Sequence, residues 1–302
     1  MNYTSLDALC EKLKCEYYKN EAMSKHSSFK IGGNADRYIL ALNLEQLTKI
    51  IKLLLGEKIP YFILGNGSNI LIKDNGIRGV VISLQGDFKE IQLISDDEIK
   101  CGAGVLLSTL CVFAKNNNLS GLEFAYGIPG SVGGAVYMNA GAYGGQMKDV
   151  LKACNHLDEN INKAQFKADE LDLSYRHSVY SGKKFVVTSA IIKLKKENQE
   201  NIATKMDDFM SRRKDKQPLN YPSAGSTFKR PQGYFAAALI EECGLKGCSV
   251  GGAEVSKKHS GFVINKGTAT AQNVLDLIEK VKAEVLKQKG VKLQCEVEIL
   301  GE

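Results

Sequence analysis

The sequence predicts a mixed fold of helices and short strands, in two domains or in one large domain with a smaller appendage. Three observations carry that expectation. Apolar residues recur at helical spacing, clearly so at 44–54. Short runs rich in Val, Ile and aromatic residues read as strands, and an unusually glycine-rich stretch occupies 121–145. Finally, 302 residues exceed what one compact core usually organises. With 44% hydrophobic and 25% charged residues, the composition is that of a globular protein rather than a disordered one.

Taken in order, the segment up to residue 56 reads as a small α/β unit. Asn43-Leu-Glu-Gln46 has the form of a capping box, and the helix behind it stops at Gly56. Leu44, Leu47, Ile50, Ile51 and Leu54 give that helix one buried face. Residues 60–64, 70–72 and 79–84 read as strands, with a Gly65-Asn-Gly-Ser-Asn69 turn after the first. A helix is expected at 106–117, strands at 150–157 and 185–194, and a charged helical run at 195–216 leads to a last domain. There, 234–243 and 271–289 read as helices, and 253–255, 261–264 and 291–300 as strands.

A net charge of +6 suits a small anionic ligand and is too weak and too evenly spread for nucleic acid. The eight cysteines include no CxxC pair, which argues against a zinc or iron–sulfur centre and for free thiols in a reducing cytoplasm. No apolar run approaches the length of about 20 residues that spans a bilayer, and the N-terminus lacks a signal-peptide core. A cytoplasmic, membrane-free monomer is the expectation.

The glycine signals exclude as much as they suggest. Gly65-Asn-Gly67-Ser-Asn69 lacks the third glycine of a dinucleotide fingerprint, and a β-pattern follows it where a helix should start. Gly102-Ala-Gly104 fails in the same way, and there is no P-loop. Glycines beside Asn and Ser can still turn successive backbone N–H groups inward to bind a pyrophosphate. Gly127-Ile-Pro-Gly130-Ser-Val-Gly133-Gly134 is a second segment of that kind, with Ser131 placed to cap a helix. The competing reading is that these glycines serve only tight turns and close packing.

Seven segments, each weak alone, then occur in a familiar order: Ser28-Phe-Lys-Ile-Gly-Gly33, residues 65–70, residues 127–134, Met138-Asn-Ala-Gly141, Ser174-Tyr-Arg176, Pro222-Ser-Ala-Gly-Ser-Thr-Phe-Lys229 and Cys295-Glu296-Val. In this the chain resembles the UDP-N-acetylenolpyruvoylglucosamine reductases, in their shorter variant. The resemblance implies an α+β protein with an FAD-binding fold of the vanillyl-alcohol-oxidase (PCMH) type and a C-terminal α+β substrate domain. It implies FAD-binding parts at 1–57 and 58–198 and a UDP-sugar-binding part at 199–302. FAD contacts are expected from Gly65, Asn66, Gly67, Ser68, Asn69, Ile70, Gly127, Pro129, Gly130, Ser131, Val132, Gly134, Ala135, Asn139 and Gly141. None of His26, His156, His177 and His259 lies in these segments, so non-covalent FAD is expected.

The implied reaction reduces UDP-N-acetylglucosamine enolpyruvate to UDP-N-acetylmuramate in peptidoglycan precursor synthesis. NADPH reduces the flavin, hydride passes to C3 of the enolpyruvyl group, and C2 is protonated. Negative charge builds at C2 and its carboxylate, which calls for fixed positive charge and an acid nearby. The resemblance assigns Arg176 to the charge, Ser226 to the proton, and Glu296 to a supporting hydrogen bond. A partly desolvated Glu296 with a raised pKa is expected. Cys295 and Glu298 depart from the residues common at those positions, and Glu298 shares a face with Glu296 if the strand is regular. Lys216, with Lys214 as the alternative, is expected at the substrate pyrophosphate, and Tyr175 and His259 in the substrate pocket. Two other readings remain: a flavin oxidase of the same superfamily acting on a small alcohol or hydroxy acid, and a non-enzymatic nucleotide- or RNA-binding protein.

Overall fold

A computed structural model describes residues 1–302. Its helices are α1 (Thr4–Leu13), α2 (Leu44–Gly56), α3 (Leu107–Asn116), α4 (Val132–Tyr137), α5 (Gln199–Lys216), α6 (Ala236–Glu242) and α7 (Ala271–Lys289). The chain forms two compact units and passes repeatedly from one to the other. The first comprises Met1–Tyr18, Tyr38–Asn66 and Gly79–Arg213, and the second Lys19–Arg37, Gly67–Arg78 and Lys214–Glu302.

In the first unit, α2 begins as expected, with the Asn43 side chain accepting from the Gln46 amide at 3.0 Å. The reciprocal half of the box is displaced by one residue: Gln46 Oε1 accepts from the Leu42 amide at 2.8 Å, and its Nε2 donates to the Leu13 carbonyl at 3.1 Å. Leu47, Ile50, Ile51 and Leu54 are fully buried, as the helical spacing requires. A five-stranded antiparallel sheet runs in the order Lys163–Lys167, Leu151–Leu157, Val186–Lys193, Glu98–Gly102, Ile91–Leu93. Tyr61–Leu64 pairs in parallel with Ile77–Leu84, Tyr61 opposite Val80. Gly79 at the start of that pairing has φ +137°, and a Cβ there would stand 2.3 Å from the Pro60 carbonyl, so only glycine fits.

The second unit packs α6 and α7 with a three-stranded antiparallel sheet of Ser249–Val250, Ala253–Val255 and Val263–Asn265. Phe29, Ile31, Leu71, Phe228, Ile240 and Leu277 belong to its core. The strand expected over 291–300 is shorter: only Glu298–Leu300 is a regular strand, paired in parallel with Ile70–Ile72, and Cys295 makes one isolated bridge to Phe228. The Cys295 thiol donates to the Val297 carbonyl at 3.3 Å, a local contact that accompanies the break.

The long helix α7 has the predicted bounds, and its start is doubly capped. Thr270 Oγ1 accepts from the Asn273 amide at 3.1 Å, while the Asp74 carboxylate accepts from the Ala271 and Gln272 amides at 2.8 and 3.0 Å. An anion on those orphan donors also complements the helix dipole. Asp74→Ala is expected to lower stability by about 1–2 kcal/mol, the usual range for a lost cap. Urea unfolding of the whole protein measures this, and an unchanged midpoint would contradict it. All eight cysteines are free thiols, five of them buried. No helix is long and apolar enough to cross a membrane.

Candidate active site

The two glycine segments singled out by sequence meet within the first unit. Asn66 Nδ2 donates to the Pro129 carbonyl at 2.7 Å, and a Cβ on Gly65 would lie 2.6 Å from Ser131 Oγ. Ser131 caps α4, accepting from the Gly134 amide at 3.3 Å. Gly65, Asn66, Pro129 and Gly134 are exposed, whereas Val132 and Ala135 are buried. This bare, polar rim of main chain fits a pyrophosphate-bearing cofactor such as FAD. Gly102 and Gly104 are different: a Cβ at either would strike backbone carbonyls, of Phe88 at 2.1 Å and of Leu84 at 2.4 Å, so packing accounts for them.

Arg176 is presented by a tight hairpin. The Ser174 amide donates to the His177 carbonyl and the His177 amide to the Ser174 carbonyl, both at 3.2 Å. Arg176 itself has φ +54°, a left-handed conformation that a bulky side chain adopts only under constraint. Its guanidinium lies 5.1 Å from the centre of the Tyr175 ring. The constraint includes Asn139, which is buried with φ +42°. Asn139 Nδ2 donates to the Ser174 carbonyl and to Gln146 Oε1, both at 2.9 Å, and its Oδ1 accepts from the Lys148 amide at 2.9 Å. The Asn139 side chain is thus committed to the Arg176 hairpin, and its amide donates to the Val136 carbonyl at 3.2 Å. Gly141 opens the neighbouring two-strand ribbon, opposite Gln146.

The remaining residues belong to the second unit, beginning with Gly67, Ser68, Asn69 and Ile70. Gly67 has φ +61°, and a Cβ there would come within 2.0 Å of the His26 carbonyl. Ile70 is buried. Ser226 is half-buried and follows Gly225, whose φ is +75°. The next residue, Thr227, is firmly held: its amide donates to the Gly261 carbonyl at 2.8 Å, and its Oγ1 accepts from the Val263 amide at 3.0 Å. The Glu296 amide donates to the Thr227 carbonyl at 2.8 Å, so the segments carrying Ser226 and Glu296 run side by side.

Glu296 lies in the irregular stretch before Glu298–Leu300, so a regular pleat does not put Glu296 and Glu298 on one face. Burial raises the carboxyl pKa of Glu298, although the residue as a whole stays open to solvent. Lys216 ends α5 and is exposed, while Lys214 offers its carbonyl to Lys258 Nζ at 2.6 Å. His259 Nδ1 accepts from the Gly261 amide at 3.2 Å, which leaves the ring proton on Nε2 in the neutral form; burial also lowers the pKa of this ring.

Two further residues went unnoticed in the sequence. Arg213, in the first unit, lays its side chain along Gly127, with Cδ 2.9 Å from where a Cβ would sit; burial lowers its pKa, and Tyr143 opposes the shift. Only its place in the charged run 195–216 could have drawn attention to it. Gln217 Oε1 in the second unit is buried with no hydrogen-bond partner, an omission that usually costs about 1–3 kcal/mol unless a ligand supplies the donor. Nothing in the local sequence marks it.

Comparison with known proteins agrees with this geometry. Residues 35–160 match a family model described as an FAD binding domain, and residues 217–300 match one described as the UDP-N-acetylenolpyruvoylglucosamine reductase C-terminal domain. A protein of that reductase name from Syntrophomonas wolfei is 52% identical over 94% of both chains. One from Clostridium novyi is 50% identical over 96% of this chain and 94% of its own. The crystal structure of the reductase from Thermus caldophilus superposes with a TM-score of 0.82 at 35% identity, covering 95% of this chain and 99% of that one. A Physcomitrella patens BBE-like protein, 11% identical with a TM-score of 0.50 over 93% of this chain and 60% of its own, shares the fold alone. The α+β fold of FAD-binding type expected from sequence is the fold observed.

Proposed function

The chain belongs to the UDP-N-acetylenolpyruvoylglucosamine reductase family, and on that premise we propose that it reduces UDP-N-acetylglucosamine enolpyruvate to UDP-N-acetylmuramate with NADPH in the cytoplasm. The observation that carries the reading is the pairing, within one unit, of the Ser226 and Glu296 segments through the Glu296 amide and the Thr227 carbonyl. Residues 1–57 and 58–198 contribute the cofactor site, chiefly through 65–70 and 127–135, and residues 199–302 bind the sugar nucleotide. FAD bound there without a covalent bond would supply two-electron hydride chemistry between NADPH and the enolpyruvyl group.

The chain's own residues handle charge and protons. As the C2–C3 double bond takes up hydride at C3, its electron pair moves to C2 and into the adjoining carboxylate. The Arg176 guanidinium is a planar cation that can meet that carboxylate in two places. The Ser226 hydroxyl gives its proton to C2 and regains one from solvent; a serine suits this task because it is never ionised near neutral pH. Glu296, in its protonated form, donates a hydrogen bond to the same carboxylate. Lys216 neutralises the pyrophosphate, and Tyr175 and His259 line the sugar-nucleotide pocket, His259 through Nε2–H.

An anaerobic titration followed by visible absorbance tests the proposal. The purified protein should show a flavin band that bleaches on adding NADPH and returns on adding the enolpyruvyl UDP-sugar. A band that bleaches, ignores the sugar and returns rapidly with O₂ after reduction by a small alcohol or hydroxy acid would replace this reading with an oxidase. The absence of any flavin after incubation with FAD would remove the cofactor assignment.

A further inference from the structure

Ser28 has no part in the chemistry above, and Asn69 enters it only as an expected cofactor contact in the 65–70 turn. Building on the proposed reductase reading, we infer that Ser28 and Asn69 are positioning residues. Their side chains tie the Gly67–Asn69 turn to the segments carrying Ser226 and Glu296, so that both proton-handling groups are held on one frame.

Ser28 makes its link with its amide and its hydroxyl. Its amide donates to the Gly67 carbonyl at 3.0 Å, and its hydroxyl donates to the Ser223 carbonyl at 2.7 Å. A hydroxyl has one proton, so the longer 3.3 Å approach of Oγ to the Gly67 carbonyl adds little. Ser226 is thereby suspended between two anchors, Ser223 before it and Thr227 after it. The intervening Gly225, with φ +75° and nothing within 4 Å of a built Cβ, supplies no restraint of its own. Without the Ser28 hydroxyl the Ser226 loop loses its Ser223 anchor and keeps the Thr227 end and, further back, the Asn265 amide on the Pro222 carbonyl at 2.9 Å.

Asn69 does the same for Glu296. Its Nδ2 donates to the Glu296 carbonyl at 3.2 Å, and its own carbonyl accepts from the Glu298 amide at 3.0 Å. These contacts hold the carbonyl side of Glu296, while its amide is held by the Thr227 carbonyl, in a stretch just ahead of the regular strand. All of these residues belong to the second unit, so the frame is internal to one body. A packing role alone would show as lost stability, whereas positioning shows in the proton-transfer step, because misplacement by about 1 Å can cost about a hundredfold in rate.

The test compares holoenzymes of the wild type, Ser28→Ala, Ser28→Thr and Asn69→Ala by anaerobic stopped flow. FAD content and the solvent isotope effect on flavin reoxidation are measured alongside. In both Ser28 variants reduction by NADPH is expected to stay within about twofold of wild type, and FAD content to be unchanged; Asn69→Ala is read on FAD-loaded protein, by the ratio of its two half-reactions. Reoxidation by the enolpyruvyl UDP-sugar is expected to slow about tenfold in Ser28→Ala and Asn69→Ala, with a larger solvent isotope effect. Ser28→Thr, which keeps the hydroxyl, is expected to restore both. Unchanged reoxidation, or equal slowing of both half-reactions, overturns the inference. A wild-type flavin that ignores the sugar removes the reductase reading and this inference together, whereas indifferent variants of a responsive wild type remove the inference alone.

Discussion

Ser226→Ala is expected to be reduced by NADPH at the wild-type rate and then to be reoxidised by the enolpyruvyl UDP-sugar about 10²–10⁴-fold more slowly, the usual contribution of a positioned acid. The selectivity follows from the chemistry, since only the second half-reaction needs a proton at C2. Ser226 is half-buried beside a well-anchored Thr227, so alanine removes one hydroxyl and little packing. Ser226→Cys should keep part of the rate, because a thiol can also donate. Its activity should fall as pH rises through the thiol range, near about 8.5 for an unperturbed cysteine, while the wild type shows no such limb. Single-turnover reoxidation across pH measures both variants, and wild-type reoxidation in Ser226→Ala would assign the proton to another group.

Asn139→Ala should have the largest effect on stability, a loss of about 3–4 kcal/mol in denaturant unfolding. Three hydrogen bonds of about 1 kcal/mol each disappear, and alanine must take a left-handed backbone that costs about 1 kcal/mol more than for asparagine. The Lys148 amide loses its partner, and the Ser174 carbonyl keeps only the His177 amide. Because Ser174 begins the hairpin that presents Arg176, sugar-dependent reoxidation should fall as well, even in protein that remains folded. Asn139→Asp keeps the acceptor for Lys148 but turns a carboxylate toward the Ser174 carbonyl and Gln146 Oε1, so it should rescue little. A stability change below about 1 kcal/mol in Asn139→Ala would show that the site relaxes without its amide.

Part of this site was legible in the linear chain. The start of α2 at Asn43 and the full span of α7 follow from capping side chains and apolar spacing within a few residues of one another. The glycine segments, Ser174-Tyr-Arg176 and Pro222–Lys229 could be recognised as short local patterns. Local sequence also excluded a dinucleotide fingerprint, since the third glycine was missing.

Other features needed the folded chain. Gly65 and Gly102 look alike in sequence, yet one faces Ser131 at an exposed rim and the other packs on the Phe88 carbonyl. The expected strand through Glu296 failed for a similar reason: apolar alternation in 291–300 says nothing about which partner is available, and only Glu298–Leu300 found one, in Ile70–Ile72. Asn139, which the sequence offered as a cofactor contact, spends its side chain on Gln146, Lys148 and Ser174.

The sequence by itself therefore determined helices such as α2 and α7, the short motifs and the chemical types of the candidate residues, because those depend on neighbours within a turn or two. Tertiary structure alone decided what holds them. Ser28 meets Ser223 across 195 residues and Asn69 meets Glu296 across 227, and such contacts arise only when packing of the second unit brings distant backbone carbonyls within reach of a donor.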